Sequence, residues 1–186
     1  NFIKIITNND PEEVSNIIYR NKDGVKLKLQ PYNPLGKPRG IVRVAMQSLQ
    51  KNNDKRKLIE LPKDSPYGTL DIDKEKCTIC LSCVGACPAS ALQDNPDAPQ
   101  LSFREDACLQ CGICVQTCPE NAIKLVPQYN LDNDTMAAKV IIQDTPFDCI
   151  SCGKTFGSTK SIERIVEKLS KHSMFQSQKK TNILKM

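Results

Sequence analysis

The sequence predicts an α+β protein whose central part is a duplicated unit of strand, cysteine loop and short helix. Eight of the ten Cys residues lie between Cys77 and Cys118, in two runs that share one spacing. Apolar residues two positions apart precede each run, at Leu70 and Ile72 and again 31 positions later, which is typical of strands. A small apolar pair follows each run. We therefore divide the chain into three segments: residues 1–65, 66–128 and 129–186.

Residues 1–65 are predicted to form a partial α/β segment that ends in a linker. The apolar run Phe2–Ile6 and the alternating residues 25–29 are typical of strands. The dipeptide Asp10-Pro11 predicts a helix start, because Asp caps helices and Pro fits the first turn. Residues 41–49 have helical apolar spacing. This partial layer buries little surface alone, and the first residue is not Met, so we expect a larger polypeptide or complex around the chain.

Residues 129–186 are predicted to contain a strand, a cysteine knuckle and an amphipathic helix. The strand is expected at Lys139–Gln143. The knuckle is the sequence Cys149-x2-Cys152-Gly, and the helix is expected over Ser161–His172, where apolar residues recur at i, i+3, i+4 and i+7.

Charge and hydropathy argue against nucleic-acid binding and against a membrane span. Residues 66–128 contain four Lys or Arg against eight Asp or Glu, whereas both flanking segments are net basic. The basic residues are scattered and barely interleaved with aromatic residues, so we expect no nucleic-acid partner. No apolar run approaches the roughly 18 residues of a membrane helix, so we expect no membrane span.

The cysteine runs repeat with an offset of 31 residues. The first is Cys77-x2-Cys80-x2-Cys83-x3-Cys87-Pro88, and the second is Cys108-x2-Cys111-x2-Cys114-x3-Cys118-Pro119. Zinc ligands usually come as CxxC pairs separated by longer loops, which differs from this pattern. Neighbours at x2 spacing are also poorly placed for disulfides. Metal ligation in a reducing compartment is the favoured interpretation, and we expect a cytoplasmic protein.

The spacing suits a polynuclear iron centre. Two-residue gaps let consecutive thiolates point into one concavity, while backbone N–H groups of the loop face the sulfur atoms. Gly85 and Gly112 are expected where the backbone turns tightly or approaches a cluster closely. The Pro after each fourth Cys removes a donor and redirects the chain.

This pattern resembles the bacterial dicluster ferredoxins, and the resemblance covers residues 66–128. It implies a ferredoxin-like domain with pseudo-twofold symmetry and two [4Fe–4S] clusters. It also implies that the fourth Cys of each run serves the other cluster. One cluster would be held by Cys77, Cys80, Cys83 and Cys118. The other would be held by Cys108, Cys111, Cys114 and Cys87.

The knuckle at Cys149 and Cys152 resembles half of a zinc-ribbon or rubredoxin-type site, which needs four ligands. His172, the single His, would raise the count only to three. Three interpretations stay open: a zinc site completed by ligands from outside this segment, a redox-active dithiol, and free thiols.

Two functions from different classes are compatible with these features. The first is a one-electron relay within a larger redox system, with redox proteins as partners. The second is an accessory or assembly protein that docks on a redox enzyme through the ferredoxin-type domain. We find no catalytic constellation, Gly-rich phosphate loop or flavin loop in the sequence.

Overall fold

The computed structural model describes residues 6–20, 36–50, 58–175 and 182–186. The chain divides into two compact units, Asn1–Lys55 and Arg56–Met186. Within the described residues, no helix has the length and apolar character needed to cross a bilayer.

The first unit contains two described helices, α1 (Pro11–Arg20) and α2 (Pro38–Gln50). The Asp10 carboxylate accepts a 3.0 Å hydrogen bond from the Glu12 backbone N–H, which confirms the predicted helix start. Helix α2 begins one turn before the predicted residue 41, with Pro38 at its first position. The strands predicted at residues 2–6 and 25–29 lie outside the described residues, apart from the irregular Ile6.

The second unit mixes short helices and strands, as an α+β protein does. In chain order its elements are β1 (Leu58–Glu60), β2 (Gly68–Ile72), α3 (Ser82–Ala86), β3 (Leu92–Asp94), β4 (Gln100–Phe103), α4 (Ile113–Thr117), β5 (Ile123–Asn130), β6 (Lys139–Gln143), β7 (Pro146–Asp148), β8 (Thr155–Ser158) and α5 (Thr159–Ser170).

The predicted duplication is visible in these elements. Helix α4 lies 31 residues after α3 at both ends, and β5 begins 31 residues after β3. The strands exchange partners between the repeats: β2 of the first pairs antiparallel with β5 of the second, and β3 of the first pairs with β4 of the second. Each repeat therefore depends on the other for its strand pairing.

Two three-stranded sheets result from this exchange, in the orders β1-β5-β2 and β3-β4-β6. Their inner faces form the core, where Leu70, Leu101 and Phe103 pack against several cysteines. Leu92 and Leu101 are at most 2% exposed. Because thiol side chains occupy much of this small core, whatever fills the space between them contributes directly to its stability.

The C-terminal segment matches its predicted elements closely. Strand β6 has the predicted bounds and extends the sheet through β4. Strands β7 and β8 form a hairpin around the knuckle. Helix α5 begins two residues before the predicted start, where the Ser158 hydroxyl accepts a 3.2 Å hydrogen bond from the Ser161 backbone N–H.

Candidate metal centres

The two cysteine loops turn through left-handed backbone at matching positions. Three pairs of residues, each separated by 31 positions, have positive φ angles: Ile79 (53°) and Gln110 (55°), Leu81 (58°) and Gly112 (78°), Ser90 (50°) and Asn121 (51°). Positive φ is unusual for residues other than Gly, and its alternation with right-handed residues points backbone N–H groups into a common concavity. The repeated backbone conformation explains why both loops place their thiols alike.

The expectation of a tight turn is confirmed for Gly112 and wrong for Gly85. Gly112 has positive φ and precedes α4. Gly85 lies inside α3, and a Cβ there would meet nothing within 4 Å. The position equivalent to Gly112 in the first loop is Leu81, which adopts the left-handed conformation despite its side chain. In the first loop the tight turn therefore occurs at Leu81, and the position of a Gly in the sequence did not predict it.

Each loop lines a cavity together with one cysteine of the other repeat. The first cavity is lined by Cys87, Cys108, Cys111 and Cys114 together with mostly apolar residues. The second cavity is lined by Cys77, Cys80, Cys83 and Cys118. The structure thus brings the eight cysteines together in two groups of four.

The two cavities are built from equivalent positions. Each residue lining the second cavity lies 31 positions from a residue lining the first, including pairs such as Leu101 with Leu70 and Ile123 with Leu92. A polar residue in one cavity corresponds to an apolar residue in the other at three of these positions, of which Thr78 with Leu109 is one. Gln110 corresponds to Ile79, and Ala89 corresponds to Glu120.

Backbone N–H groups donate to the fourth cysteine of each run, Cys87 and Cys118. We call these two the crossing cysteines, because each lines the cavity of the other run. The Ala91 N–H lies 3.3 Å from Cys87 Sγ, and the Ala122 N–H lies 3.4 Å from Cys118 Sγ. These donors again differ by 31 positions. They confirm the expectation that the backbone stabilises thiolate sulfur by hydrogen bonding.

Burial and mutual repulsion oppose ionisation of the central cysteines. Burial, with the neighbouring Cys77 and Cys80 adding like charge, raises the pKa of Cys83 to about 12. Burial and the nearby Cys108 raise the pKa of Cys114 to about 11. Thiolates at these positions therefore need a cation beside them, because burial strongly disfavours an uncompensated charge.

The crossing Cys87 has a different environment. Burial alone would raise its pKa, but the surrounding backbone N–H groups, led by Leu92 and Ala91, outweigh burial and lower the pKa. Such a thiolate is the favoured form for binding a metal.

Within the described residues, no group of three or more His, Cys, Asp or Glu side chains is arranged to hold a metal ion. Ligands of one zinc ion converge tightly, since each Zn–S bond is about 2.3 Å. Four iron and four sulfide atoms hold their thiolates farther apart. Four thiols that line one largely apolar cavity fit the all-thiolate donor set of a [4Fe–4S] cluster.

The comparison with protein families agrees with this chemistry. The family model described as a 4Fe–4S dicluster domain matches residues 76–123. This cysteine-rich stretch is a dicluster ferredoxin-type domain. Iron–sulfur electron transfer is thereby supported for this part of the chain. A search of curated proteins found no match to the chain.

Helix α5 is attached beside the second cavity by an ion-pair cluster. Glu120, whose side chain is 11% exposed, accepts a 3.0 Å bond from Arg164 Nη2 and another from Lys168 Nζ. The Arg164 and Lys168 bonds hold the pKa of Glu120 below its usual value. The Ser158 hydroxyl also donates to the Thr78 carbonyl at 3.2 Å. The C-terminal segment therefore covers the loop that carries Cys77.

The knuckle forms the turn between β7 and β8. Cys149 is buried and Cys152 is exposed. The Gly153 N–H donates to the Cys149 carbonyl at 2.9 Å, and Gly153 has a φ of 71°. Backbone N–H groups of Cys152 and Ser151 lower the pKa of Cys149. His172 is not grouped with the pair in the described residues, and its Nδ1 accepts a 3.3 Å bond from the Met174 N–H.

Sequence reasoning missed two neighbours of the cysteines that line the cavities, Gln110 and Glu120. Both lie inside the repeats, at positions where the second motif departs from the first. Comparing the repeats for their differences, as well as for their similarities, would have singled out both residues.

Proposed function

We propose that residues 66–128 hold two [4Fe–4S] clusters with crossed ligands. Cys77, Cys80, Cys83 and Cys118 bind one cluster, and the second set is Cys108, Cys111, Cys114 and Cys87. The single observation that carries this proposal is the lining of the two cavities, since each contains three cysteines of one run and the fourth cysteine of the other. Crossed ligation is the pattern of two-cluster ferredoxins.

A pseudo-twofold relation between the repeats belongs to the same proposal. Equivalent elements, equivalent positive φ angles and the mutual exchange of strand partners support it. Such a relation places two equivalent cofactors side by side across one small core.

The protein then acts as a one-electron relay between redox partners in a larger redox system. The two cysteine sets approach each other through α3 and α4, where Cys83 and Cys114 are close enough for their charges to interact. Cys80 and Cys111 are the exposed members of their sets, so each cluster has a side near the surface. An electron entering near one exposed ligand therefore has a short path to the other.

The knuckle and the cellular location complete the proposal. A zinc site at Cys149 and Cys152, completed by ligands from outside this segment, is supported by the backbone N–H groups that favour the Cys149 thiolate. A cytoplasmic location agrees with a chain in which thiolates must stay reduced and metal-bound.

Metal and sulfide analysis of anaerobically prepared protein tests these assignments. We expect about eight iron atoms and eight acid-labile sulfides per chain, as two cubanes require. The Cys149→Ser/Cys152→Ser variant should keep this content and lose any bound zinc. About four iron atoms per chain would contradict the two-cluster proposal. Full loading without electron transfer to any redox protein would favour the accessory function instead.

A further inference from the structure

Gln110 occupies the position at which the two cysteine loops differ most in hydrogen-bonding capacity. It follows Cys108 by two residues, as Ile79 follows Cys77. The two backbones are alike, with φ angles of 55° and 53°, and each residue lines the cavity of its own loop. One loop thus presents a primary amide where the other presents a hydrocarbon.

The amide of Gln110 is oriented by two acceptors. Its Nε2 lies 2.9 Å from the Thr69 carbonyl oxygen and 3.4 Å from Cys108 Sγ. A carbonyl oxygen and a thiolate sulfur both accept, so the NH₂ end of the amide must face them. The buried Oε1 has no hydrogen-bond partner among the described residues, so both bonds of this amide are made by its NH₂ end.

Gly68 leaves room for this amide. A Cβ at Gly68 would clash with the Val126 carbonyl oxygen of the paired strand β5, and it would lie 2.6 Å from Gln110 Cδ and 2.8 Å from Nε2, closer than real contacts allow. The equivalent residue in the other repeat is Pro99. The absence of a side chain at Gly68 on β2 therefore serves both the strand pairing and the Gln110 contact.

We infer that Gln110 raises the reduction potential of the cluster held by Cys87, Cys108, Cys111 and Cys114 above that of the other cluster. The inference rests on the proposed function. Reduction adds negative charge to the cluster and its thiolates, so a donor to sulfur stabilises the reduced form more than the oxidised form. Cys108 is buried and Gln110 is half-buried, so water competes less for this bond than for one at the surface.

The other cluster has a weaker side-chain hydrogen bond to one of its cysteine sulfurs. The Ser82 hydroxyl lies 3.5 Å from Cys80 Sγ, but both residues are at the surface. Water can replace this bond, so its effect is smaller. Glu120 also lies near that cluster, but Arg164 and Lys168 offset its charge. Lys160 also places a positive charge near Cys77, but its ammonium group is at the surface, where water and salt screen it. The half-buried amide of Gln110 therefore makes the larger difference between the sites.

The consequence is a direction for the relay. One electron passes from the cluster of Cys77, Cys80, Cys83 and Cys118 to the cluster beside Gln110, which oxidises the first and reduces the second. No bond breaks and no proton moves. In partly reduced protein, the electron resides mainly beside Gln110.

A redox titration of loaded protein, monitored by EPR, tests this inference. Wild type should show two different potentials. Gln110→Leu, which keeps the side-chain size and removes the donor, should lower the higher potential and leave the lower one unchanged. Gln110→Glu should lower the same potential further, because it adds charge. Gln116→Leu, an exposed residue on α4, is the matched control and should change neither potential.

Isotope labelling of wild type provides a test that needs no variant to fold. With side-chain ¹⁵N-glutamine, pulsed EPR of singly reduced protein should detect one nitrogen coupled to the reduced cluster. Absence of this coupling would overturn the inference, as would unchanged potentials in a fully loaded Gln110→Leu variant. Protein that never binds iron and sulfide would instead overturn the proposed function.

Discussion

At the scale of single residues, the eight cysteines of the repeats have unequal environments. Cys83 and Cys114 are buried between the two loops, whereas Cys80 and Cys111 are exposed. Backbone N–H groups surround the crossing Cys87 and favour its thiolate. With clusters bound as proposed, the buried cysteines would shield a cluster and the exposed ones would bring it near a partner.

The crossing cysteines give the sharpest residue-scale prediction. Cys87→Ala should damage the cluster held by Cys108, Cys111 and Cys114, although Cys87 belongs to the first run. Iron content should fall from about eight to about four atoms per chain. The matched variant Cys118→Ala should damage the other cluster.

Double variants show which cluster is lost. Cys87→Ala combined with Cys111→Ala should lose no more iron than Cys87→Ala alone, whereas its combination with Cys80→Ala should remove both clusters. If Cys87→Ala and Cys80→Ala together left one cluster intact, the crossed assignment would be wrong.

At the scale of elements, helix α5 is joined to the cysteine domain by charged groups. Glu120 pairs with Arg164 and Lys168, and the Ser158 hydroxyl bonds to the loop after Cys77. The amphipathic pattern of residues 161–172 predicted the helix, because apolar spacing is a local property. It did not predict the partner, because ion pairing over more than forty residues leaves no periodic signal in one sequence.

Removing the Glu120 charge should loosen this attachment. Glu120→Gln is expected to lower the midpoint of thermal unfolding and to speed hydrogen exchange in α5, because Arg164 and Lys168 lose their shared partner. The matched control is Glu163→Gln, an exposed charge on the same helix. The double variant Glu120→Gln/Arg164→Gln should lower the midpoint of thermal unfolding by less than the sum of the two single variants. Equal effects of Glu120→Gln and Glu163→Gln would contradict the attachment.

At the scale of the whole molecule, the duplication explains what the sequence could predict. The 31-residue offset predicted matching helices and strands, because two segments with the same pattern of cysteines and apolar residues favour the same local structure. Spacing alone did not reveal the left-handed Leu81 or the amide of Gln110, because both depend on contacts made after folding. The strands predicted in residues 2–6 and 25–29 lie outside the described residues, and the division at 65 and 128 stays a prediction.

Two [4Fe–4S] clusters, we propose, lie side by side within this one small domain. EPR of the fully reduced protein tests this arrangement most directly, because two nearby paramagnets perturb each other's spectra. We predict a broadened, spin-coupled signal that integrates to two spins per chain, and a simpler signal at partial reduction. A single unbroadened signal of one spin per chain at full reduction would contradict the account.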